Sequence, residues 1–133
     1  MDKTARITRL VLPGHTNRHG SLFGGTALSY MDEAAGIVST RVARGPVVTA
    51  HIDSVDFKAP IWQSEAVVIT AELVSIGTSS MRIRVDTWGE CLEEGTRRHC
   101  TTAEFVMVAI DQHGHPRPIP SVSREDLAQD SAD

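Results

Sequence analysis

An aspartate, Asp32, occurs in the middle of the only long helical pattern of the chain. Aspartate is unfavourable inside a helix, because its carboxylate competes for nearby backbone groups. A carboxylate is ionised at neutral pH and is able to activate water as a general base. Asp32 is therefore a candidate catalytic residue, and a solvated helix position is the alternative. The apolar stripe beside it recurs every three or four residues, at Leu28, Met31, Ala35, Val38 and Val42.

A polar loop with repeated glycines, residues 14–25, leads into this helix pattern. It does not match a phosphate-binding P-loop, because no lysine follows its glycines at the required spacing. His15 and His19 are four residues apart, but two histidines without a third clear ligand do not define a zinc site. We therefore expect no bound metal. The small residues of the helix allow a large group to pack very close to it: Gly24, Gly25, Ala27, Ala34, Ala35 and Gly36.

The composition is that of one globular domain. The chain has 133 residues, of which 41% are hydrophobic, and its formal net charge is −4. This length is enough for one domain and too short for two of ordinary size. Interspersed charges of both signs give no basis for binding nucleic acid or an anionic membrane. No apolar run approaches a membrane span or a secretory signal, so we expect a cytoplasmic protein whose Cys91 and Cys100 stay reduced.

Hydrophobic periodicity predicts five strands and one long helix. The helix covers residues 23–43, where the pattern ends at Arg44-Gly45-Pro46. The fourth strand alternates most regularly, which predicts that Met81, Ile83 and Val85 face the core. The five strands are predicted at residues 4–13, 47–57, 65–76, 80–91 and 98–110.

This order of elements predicts an α+β fold in which a long, curved antiparallel sheet wraps around one central helix. The four strands after the helix are predicted to form an antiparallel meander, which twists and curls. A helix of about 20 residues is roughly 30 Å long and fits the concave side of such a sheet. One sheet layer leaves the convex face and the edges uncovered, so we expect a homo-oligomer. The domain is predicted to span residues 1–120, and the polar, acidic residues 121–133 to be a frayed tail.

Several separated motifs follow one another in an order that carries a family resemblance. They are Thr16-Asn17, Leu22-Phe23-Gly24-Gly25, Met31-Asp32, Val47-Val48-Thr49, Pro60-Ile61, Gly77-Thr78-Ser79-Ser80-Met81 and Phe105-Val106. Together, over roughly residues 5–120, they resemble the hotdog-fold acyl-CoA thioesterases. More narrowly, the chain is similar to the bacterial acyl-CoA hydrolases akin to the mammalian cytosolic (brain-type) enzyme. One departure is Gln63-Ser64-Glu65, where the family usually has glycine before the acidic residue, and this affects a turn.

The resemblance implies hydrolysis of acyl-CoA thioesters without a metal or redox cofactor, coenzyme A being part of the substrate. It implies that Asp32 is the catalytic carboxylate, as general base or as nucleophile, and that Asn17 is its polar partner. The unpaired N–H groups of Gly24 and Gly25 would stabilise the developing oxyanion by about 3–4 kcal/mol. For Asn17 the alternative is a turn residue that stabilises its own loop. For the two glycines it is close packing of the helix on the sheet.

The resemblance also implies two segments that contact coenzyme A. An extended pantetheine arm would pair its amides with backbone groups along the strand edges. Arginines on the fourth and fifth strands are candidates for the phosphates, although outward charges also keep a sheet from aggregating. The implied contact residues are Ala50, His51, Ile52, Ser79, Ser80 and Met81, and the candidate arginines are Arg82, Arg84, Arg97 and Arg98.

The resemblance finally implies how subunits combine. In the family, the asparagine and the aspartate of one site come from two adjacent hotdog units, which animal relatives carry in tandem. This chain has one unit, so a homodimer is implied, with Asn17 from one subunit and Asp32 from the other, within a hexameric trimer of dimers. A non-catalytic acyl-CoA-binding module stays open, as does a dehydratase or hydratase, whose histidine base this helix lacks. The acyl chain length is set by pocket depth, which no sequence pattern shows.

Overall fold

The computed structural model describes residues 1–132, which form a five-stranded sheet and two α-helices. The order along the chain is β1 (Thr4–Leu10), α1 (Gly24–Ala43), β2 (Val47–Asp53), β3 (Ala66–Ile76), β4 (Ser80–Cys91), β5 (Thr96–Ala109) and α2 (Ser121–Ala132). A short 3-10 turn, Pro13–His15, lies between β1 and α1. Neither helix in this part of the chain has the length and apolar character needed to cross a membrane.

Two strands end earlier than the hydrophobic pattern predicts, and both ends have a local cause. The pattern predicts that β1 extends to Pro13, but the strand ends at Leu10. Pro13 instead begins the 3-10 turn, because it has no N–H for a strand ladder. The pattern predicts that β2 extends to Phe57, but the strand ends at Asp53. The next residue, Ser54, has a φ of 56°, which takes the backbone out of the extended region.

All neighbouring strands are antiparallel, in the order β1-β3-β4-β5-β2. The predicted meander of four consecutive strands is therefore wrong for β2, since only β3, β4 and β5 are neighbours in chain order. β2 pairs with β5 instead, with Val47 opposite Ala109. The connection formed by residues 54–65 is too long for a hairpin, so it lets the chain cross to a different part of the sheet. As a result, β1 and β2 are the two edge strands.

Helix α1 packs across one face of the sheet and contacts all five strands. The buried side of the helix consists mostly of small and medium apolar residues, among them Ala27, Met31, Ala34, Ala35, Val38 and Val42. The predicted inward face of β4 is confirmed, because Met81, Ile83 and Val85 are completely buried. This arrangement of one long helix on an antiparallel sheet confirms the predicted hotdog fold.

Residues near the end of the chain close the C-terminal end of α1. The Arg117 guanidinium donates a hydrogen bond to the Ala43 carbonyl oxygen at 2.8 Å. The Ser123 hydroxyl donates to the Val42 carbonyl oxygen at 2.7 Å. A helix end leaves such carbonyls without partners inside the helix. The C-terminal segment therefore stabilises the helix around which the sheet is built.

The expectation of a frayed tail over residues 121–133 is wrong for residues 121–132, which form α2. The tail composition is polar, and only a few of its residues dock. Ile119 is 3% exposed, Ser123 is 1% exposed, and Leu127 packs on the core. Composition alone could not predict this docking, because the partners of these residues lie far away in the sequence. The division of the chain at residue 120 stays a prediction.

We predict that Ser123→Ala lowers the free energy of unfolding by about 1–2 kcal/mol, because the buried Val42 carbonyl loses its donor. Urea unfolding of both proteins measures this difference. Ser121→Ala, at an exposed position of the same helix, is the control and should stay within about 0.5 kcal/mol of the parent. Equal effects of the two substitutions would show that α2 does not dock through Ser123.

Candidate active site

Asp32 lies on α1 with its carboxylate directed toward the edge strand β2. The Thr49 hydroxyl donates a hydrogen bond to Asp32 Oδ1 at 2.5 Å. Asp32 is half-buried and Thr49 is exposed, so the carboxylate lies at the surface, beside an unpaired sheet edge. Thr49 belongs to a motif that carried the family resemblance, but the sequence alone did not connect it with Asp32. The hydrogen bond fixes one carboxylate oxygen and leaves the other available to a reactant.

The start of α1 presents two unpaired backbone donors. Within the described residues, no acceptor is bound to the N–H groups of Gly24 and Gly25, as expected for the first turn of a helix. A Cβ at Gly24 would lie 3.5 Å from the Phe57 ring, whereas a Cβ at Gly25 would meet nothing within 4 Å. The backbone is therefore open to a ligand at Gly25, and Gly24 also serves close packing. The alternative of close packing of the helix on the sheet stays open, because Phe57 belongs to the 54–65 connection and not to a strand.

A cavity of about 420 Å³ opens beside this helix start. Its wall is mostly apolar and combines the beginning of α1, the 57–61 segment and the inner face of β4 and β5. Lining residues include Leu22, Gly24, Ala27, Phe57, Ile61 and Cys100. The sequence motifs contained Pro60-Ile61, yet nothing in this motif indicated a cavity. An apolar cavity beside a helix start with unpaired amides suits an acyl group whose carbonyl oxygen accepts from those amides.

An ion pair holds the outer wall of the cavity in place. Arg98 contacts both carboxylate oxygens of Glu65, at 2.6 and 2.9 Å, and also donates to the Pro60 carbonyl oxygen at 2.9 Å. Glu65 in turn accepts from the Trp62 N–H at 2.7 Å. The hydrogen bonds from Arg98 hold the pKa of the Glu65 carboxyl below its usual value. Arg98, which was a candidate phosphate ligand, is therefore already bound to the Glu65 carboxylate and the Pro60 carbonyl oxygen.

Ser64, the residue before Glu65, is the position at which the chain departs from the family pattern. Ser64 has a φ of 75°, which is the left-handed region that glycine adopts without strain. The resemblance implies glycine at this position. In this chain a serine takes the left-handed backbone conformation. The departure therefore affects the turn, as the sequence predicts, and leaves the ion pair of Glu65 intact.

Asn17 is held in its own loop. Its Nδ2 donates to Ser21 Oγ at 2.9 Å, while its Oδ1 accepts from the N–H groups of His19 at 2.9 Å and Ser21 at 3.3 Å. The alternative of a loop-stabilising residue therefore describes part of what Asn17 does. An amide nitrogen has two N–H donors, and Ser21 uses one of them. The other remains available to a ligand.

Asp32 and the helix start are too far apart within one chain to act on the same carbonyl group. Asp32 follows Gly24 by two helical turns, or about 12 Å along the axis. Within the described residues, Asn17 makes no hydrogen bond to Asp32. A reacting atom must lie about 3 Å from both the attacking group and the oxyanion donors. One chain alone therefore does not complete the implied site.

The implied coenzyme A residues come together only in part. His51 and Arg82 both lie opposite Val106 of β5, so they share the outer face of the sheet. Ala50, Ile52, Ser79 and Ser80 belong to the same two segments. The Met81 side chain is completely buried in the core, and its backbone lies between the paired strands β3 and β5. That expectation is corrected, because the strand alternation that places Arg82 outward places Met81 inward.

Arg97 lies far from the other implied coenzyme A residues. It pairs with Glu90 at the far end of the β4–β5 hairpin, about 33 Å along β4 from Ser80 at strand spacing. Arg82 is close to the group but pairs with Glu104 at 2.7 Å and with Asp53 at 3.7 Å. A spacing pattern finds arginines on a strand, whereas their carboxylate partners come from neighbouring strands and are visible only in the sheet.

Within residues 1–132, no three histidine, cysteine, aspartate or glutamate side chains gather as a metal site would require. His15 packs edge-on against Tyr30 with ring centroids 6.4 Å apart, and His19 is exposed. Cys91 and Cys100 are both free thiols. Burial raises the pKa of the Cys100 thiol, which makes it a weak nucleophile. The expected absence of a metal stays a prediction.

Comparison with known proteins identifies the family. Residues 19–95 match the family model described as the thioesterase superfamily. The uncharacterized acyl-CoA thioester hydrolase YkhA of Bacillus subtilis is 42% identical over 118 residues, which cover 89% of this chain and 69% of YkhA. The chain therefore belongs to the thioesterase superfamily.

Solved structures of the same class superpose over nearly the whole chain. HI0827, a hexameric broad-specificity acyl-coenzyme A thioesterase, is similar with a TM-score of 0.86 and 31% identity, covering 96% of both chains. An acyl-CoA hydrolase of Staphylococcus aureus, solved with butyryl coenzyme A and coenzyme A, is similar with a TM-score of 0.82 and 31% identity. That match covers 97% of this chain and 84% of the other. The predicted family resemblance is confirmed.

We predict that acid weakens the cavity wall through Glu65. Its folded-state pKa is lowered, so its ionisation stabilises the fold above the ordinary glutamate value of about 4.3. That stability is lost as the pH falls through the lowered pKa. Thermal unfolding from pH 6 to pH 3 should show a steeper fall of Tm for the parent than for Glu65→Gln. Glu93→Gln, in the exposed β4–β5 turn, should follow the parent. Parallel curves for the parent and Glu65→Gln would contradict this assignment.

Proposed function

We propose that this protein hydrolyses acyl-CoA thioesters to a free carboxylic acid and coenzyme A. The observation that carries the proposal is the apolar cavity of about 420 Å³ at the start of α1, which Gly24 lines and where the amides of Gly24 and Gly25 are unpaired among the described residues. Membership of the thioesterase superfamily and similarity to acyl-CoA thioester hydrolases support the substrate class. No cofactor is needed for this reaction, since coenzyme A enters as part of the substrate.

In the proposed reaction, the acyl chain occupies the cavity and the thioester oxygen accepts hydrogen bonds from Gly24 and Gly25. Asp32 takes a proton from water, whose oxygen attacks the carbonyl carbon, and the amides stabilise the resulting oxyanion. The carbon–sulfur bond then breaks, and the proton passes from Asp32 to the departing thiolate. Direct attack by Asp32, with an anhydride that water then hydrolyses, uses the same geometry.

The site is completed by a second copy of the chain. Asp32 of one subunit acts on a carbonyl held by Gly24, Gly25 and Asn17 of the other, because one chain separates these groups by about 12 Å. The edge strand β2, next to Asp32, supports the contact surface: its backbone edge is unpaired and Val48 is 43% exposed. An unpaired edge is a template for pairing with another copy. A trimer of such dimers agrees with the hexamers described for similar proteins.

The pantetheine arm of coenzyme A is proposed to run across the outer face between β2 and the start of β4. His51, Ser79 and Ser80 contribute polar groups there, and the edge strand β2 offers backbone amides and carbonyls near Ala50 and Ile52. Met81 pairs with both β3 and β5, so it contributes to this path only as the neighbour of Ser80. The remaining parts of the proposal are a cytoplasmic location and the absence of nucleic-acid and membrane partners. The mixed charge of the chain supports the absence of such partners.

We predict that Asp32→Asn abolishes thioester hydrolysis and keeps coenzyme A binding. Loss of a general base lowers kcat by about 10²–10⁴-fold, and loss of a nucleophile lowers it further. A thiol reagent measures free coenzyme A released from a series of fatty acyl-CoA substrates, and calorimetry measures coenzyme A binding. Glu33→Gln changes the neighbouring carboxylate, which pairs with Arg9, and should keep activity. Binding without release in the parent protein would favour an acyl-CoA-binding module instead.

We predict that two inactive variants restore activity when they share a dimer. Asn17→Ala and Asp32→Asn remove groups from opposite sides of the proposed interface. A mixed dimer then keeps one intact site of two, so random pairing at equal amounts restores about a quarter of the parent activity. The measurement is thioester hydrolysis after co-expression, with each variant alone as the control. Recovery no greater than the sum of the separate variants would place both residues in one subunit's site.

A further inference from the structure

The turn between β3 and β4, residues 77–80, is held by the C-terminal segment. The Ile119 N–H donates to the Thr78 carbonyl oxygen at 2.9 Å. The Arg124 guanidinium donates to the same oxygen at 2.7 Å. Arg124 therefore lies beside Ser79 and Ser80, on a helix that the sequence predicted to be a frayed tail. The docking of α2 brings a cation to one of the two segments proposed to contact coenzyme A.

The turn itself is tight and closed. The Gly77 N–H donates to the Ser80 carbonyl oxygen at 2.7 Å, and a Cβ on Gly77 would lie 2.5 Å from Ser80 Oγ. No side chain fits at Gly77 without moving Ser80. The position of Arg124 relative to Ser79 and Ser80 is therefore set by a compact loop on one side and by the hydrogen bond to Thr78 on the other.

Arg124 differs from the arginines of the sheet in its charge balance. Arg82 pairs with Glu104 and Asp53, and Arg84 pairs with Glu72 at 2.9 Å. Within the described residues, the guanidinium of Arg124 is bound to a carbonyl oxygen and to no carboxylate. A phosphate that approached Arg82 would compete with two carboxylates, whereas one that approached Arg124 would compete with none.

We propose that Arg124 binds a phosphate group of coenzyme A. A guanidinium has five N–H donors, of which the Thr78 carbonyl uses one, and the remaining donors suit the bidentate recognition of a phosphate. The neutral carbonyl partner leaves the positive charge of Arg124 uncompensated. The hydrogen bond to Thr78 holds the guanidinium beside Ser79 and Ser80, on the proposed path of the pantetheine arm. This inference rests on the proposed function, since it assigns the phosphate end of the same substrate.

The test compares two substrates on the full-length protein. Acyl-CoA carries the phosphates, whereas the matching acyl-pantetheine carries none. Arg124→Ala should raise KM for acyl-CoA about tenfold, as expected for the loss of a charge-assisted hydrogen bond, with kcat unchanged. Its KM for acyl-pantetheine should equal that of the parent, and Arg124→Lys should recover part of the affinity for acyl-CoA. The thioester of 3′-dephospho-coenzyme A then distinguishes the 3′-phosphate from the diphosphate.

Arg6→Ala is the matched control, because Arg6 is an exposed arginine of β1 without a carboxylate partner among the described residues. It should leave both KM values unchanged. A rise of KM for both substrates in Arg124→Ala would show that the residue only braces the turn, and an unchanged KM for acyl-CoA would also overturn the proposal. If the parent protein hydrolyses neither thioester, the proposed function fails separately. Calorimetry with coenzyme A then tests the role of Arg124 directly. The proposal predicts that coenzyme A binds about tenfold more weakly to Arg124→Ala than to the parent.

Discussion

The packing of α1 against the sheet is the contact on which the rest of the structure depends. The helix touches every strand, and its buried side is built largely from alanine and valine. Burial of this apolar surface is the dominant favourable term in folding. The same rigid helix carries Gly24 and Gly25 at its start and Asp32 two turns later. The packing of this helix therefore fixes the distance between the amides of the two glycines and the carboxylate of Asp32.

Because this distance is fixed, the proposed mechanism requires two subunits. Gly24 lines the cavity at the start of α1, whereas the Asp32 carboxylate accepts from Thr49 of the edge strand β2. No rotamer of an aspartate spans the two helical turns that separate these surfaces. A chain with one such helix is able to hold a thioester at one place and to supply a carboxylate at another. In the proposed mechanism, pairing of two copies brings the carboxylate of one chain to the amide donors of the other.

Much of the fold was predictable, because hydrophobic alternation reports burial directly. β4 has the predicted bounds, and α1 begins one residue later than predicted. The neighbour of β2 was not predictable, because strand pairing depends on which edge the chain reaches after residues 54–65. The candidate site divides in the same way. Asp32, Asn17 and the glycine pair were identified from local motifs, whereas Thr49, the cavity and the Arg98–Glu65 ion pair required the folded chain.

The sequence by itself determined helix α1 and the approximate positions of the five strands, the candidate residues for chemistry and the family that the chain resembles. These properties depend on local spacing, which a linear pattern records. Tertiary structure decided which charges are neutralised, which candidate side chains are buried, and that the polar C-terminal residues dock as α2. Such outcomes depend on contacts between residues far apart in the chain. Arg82 and Met81 are adjacent in sequence, yet the pleat of the strand places one on the outer face and the other in the core.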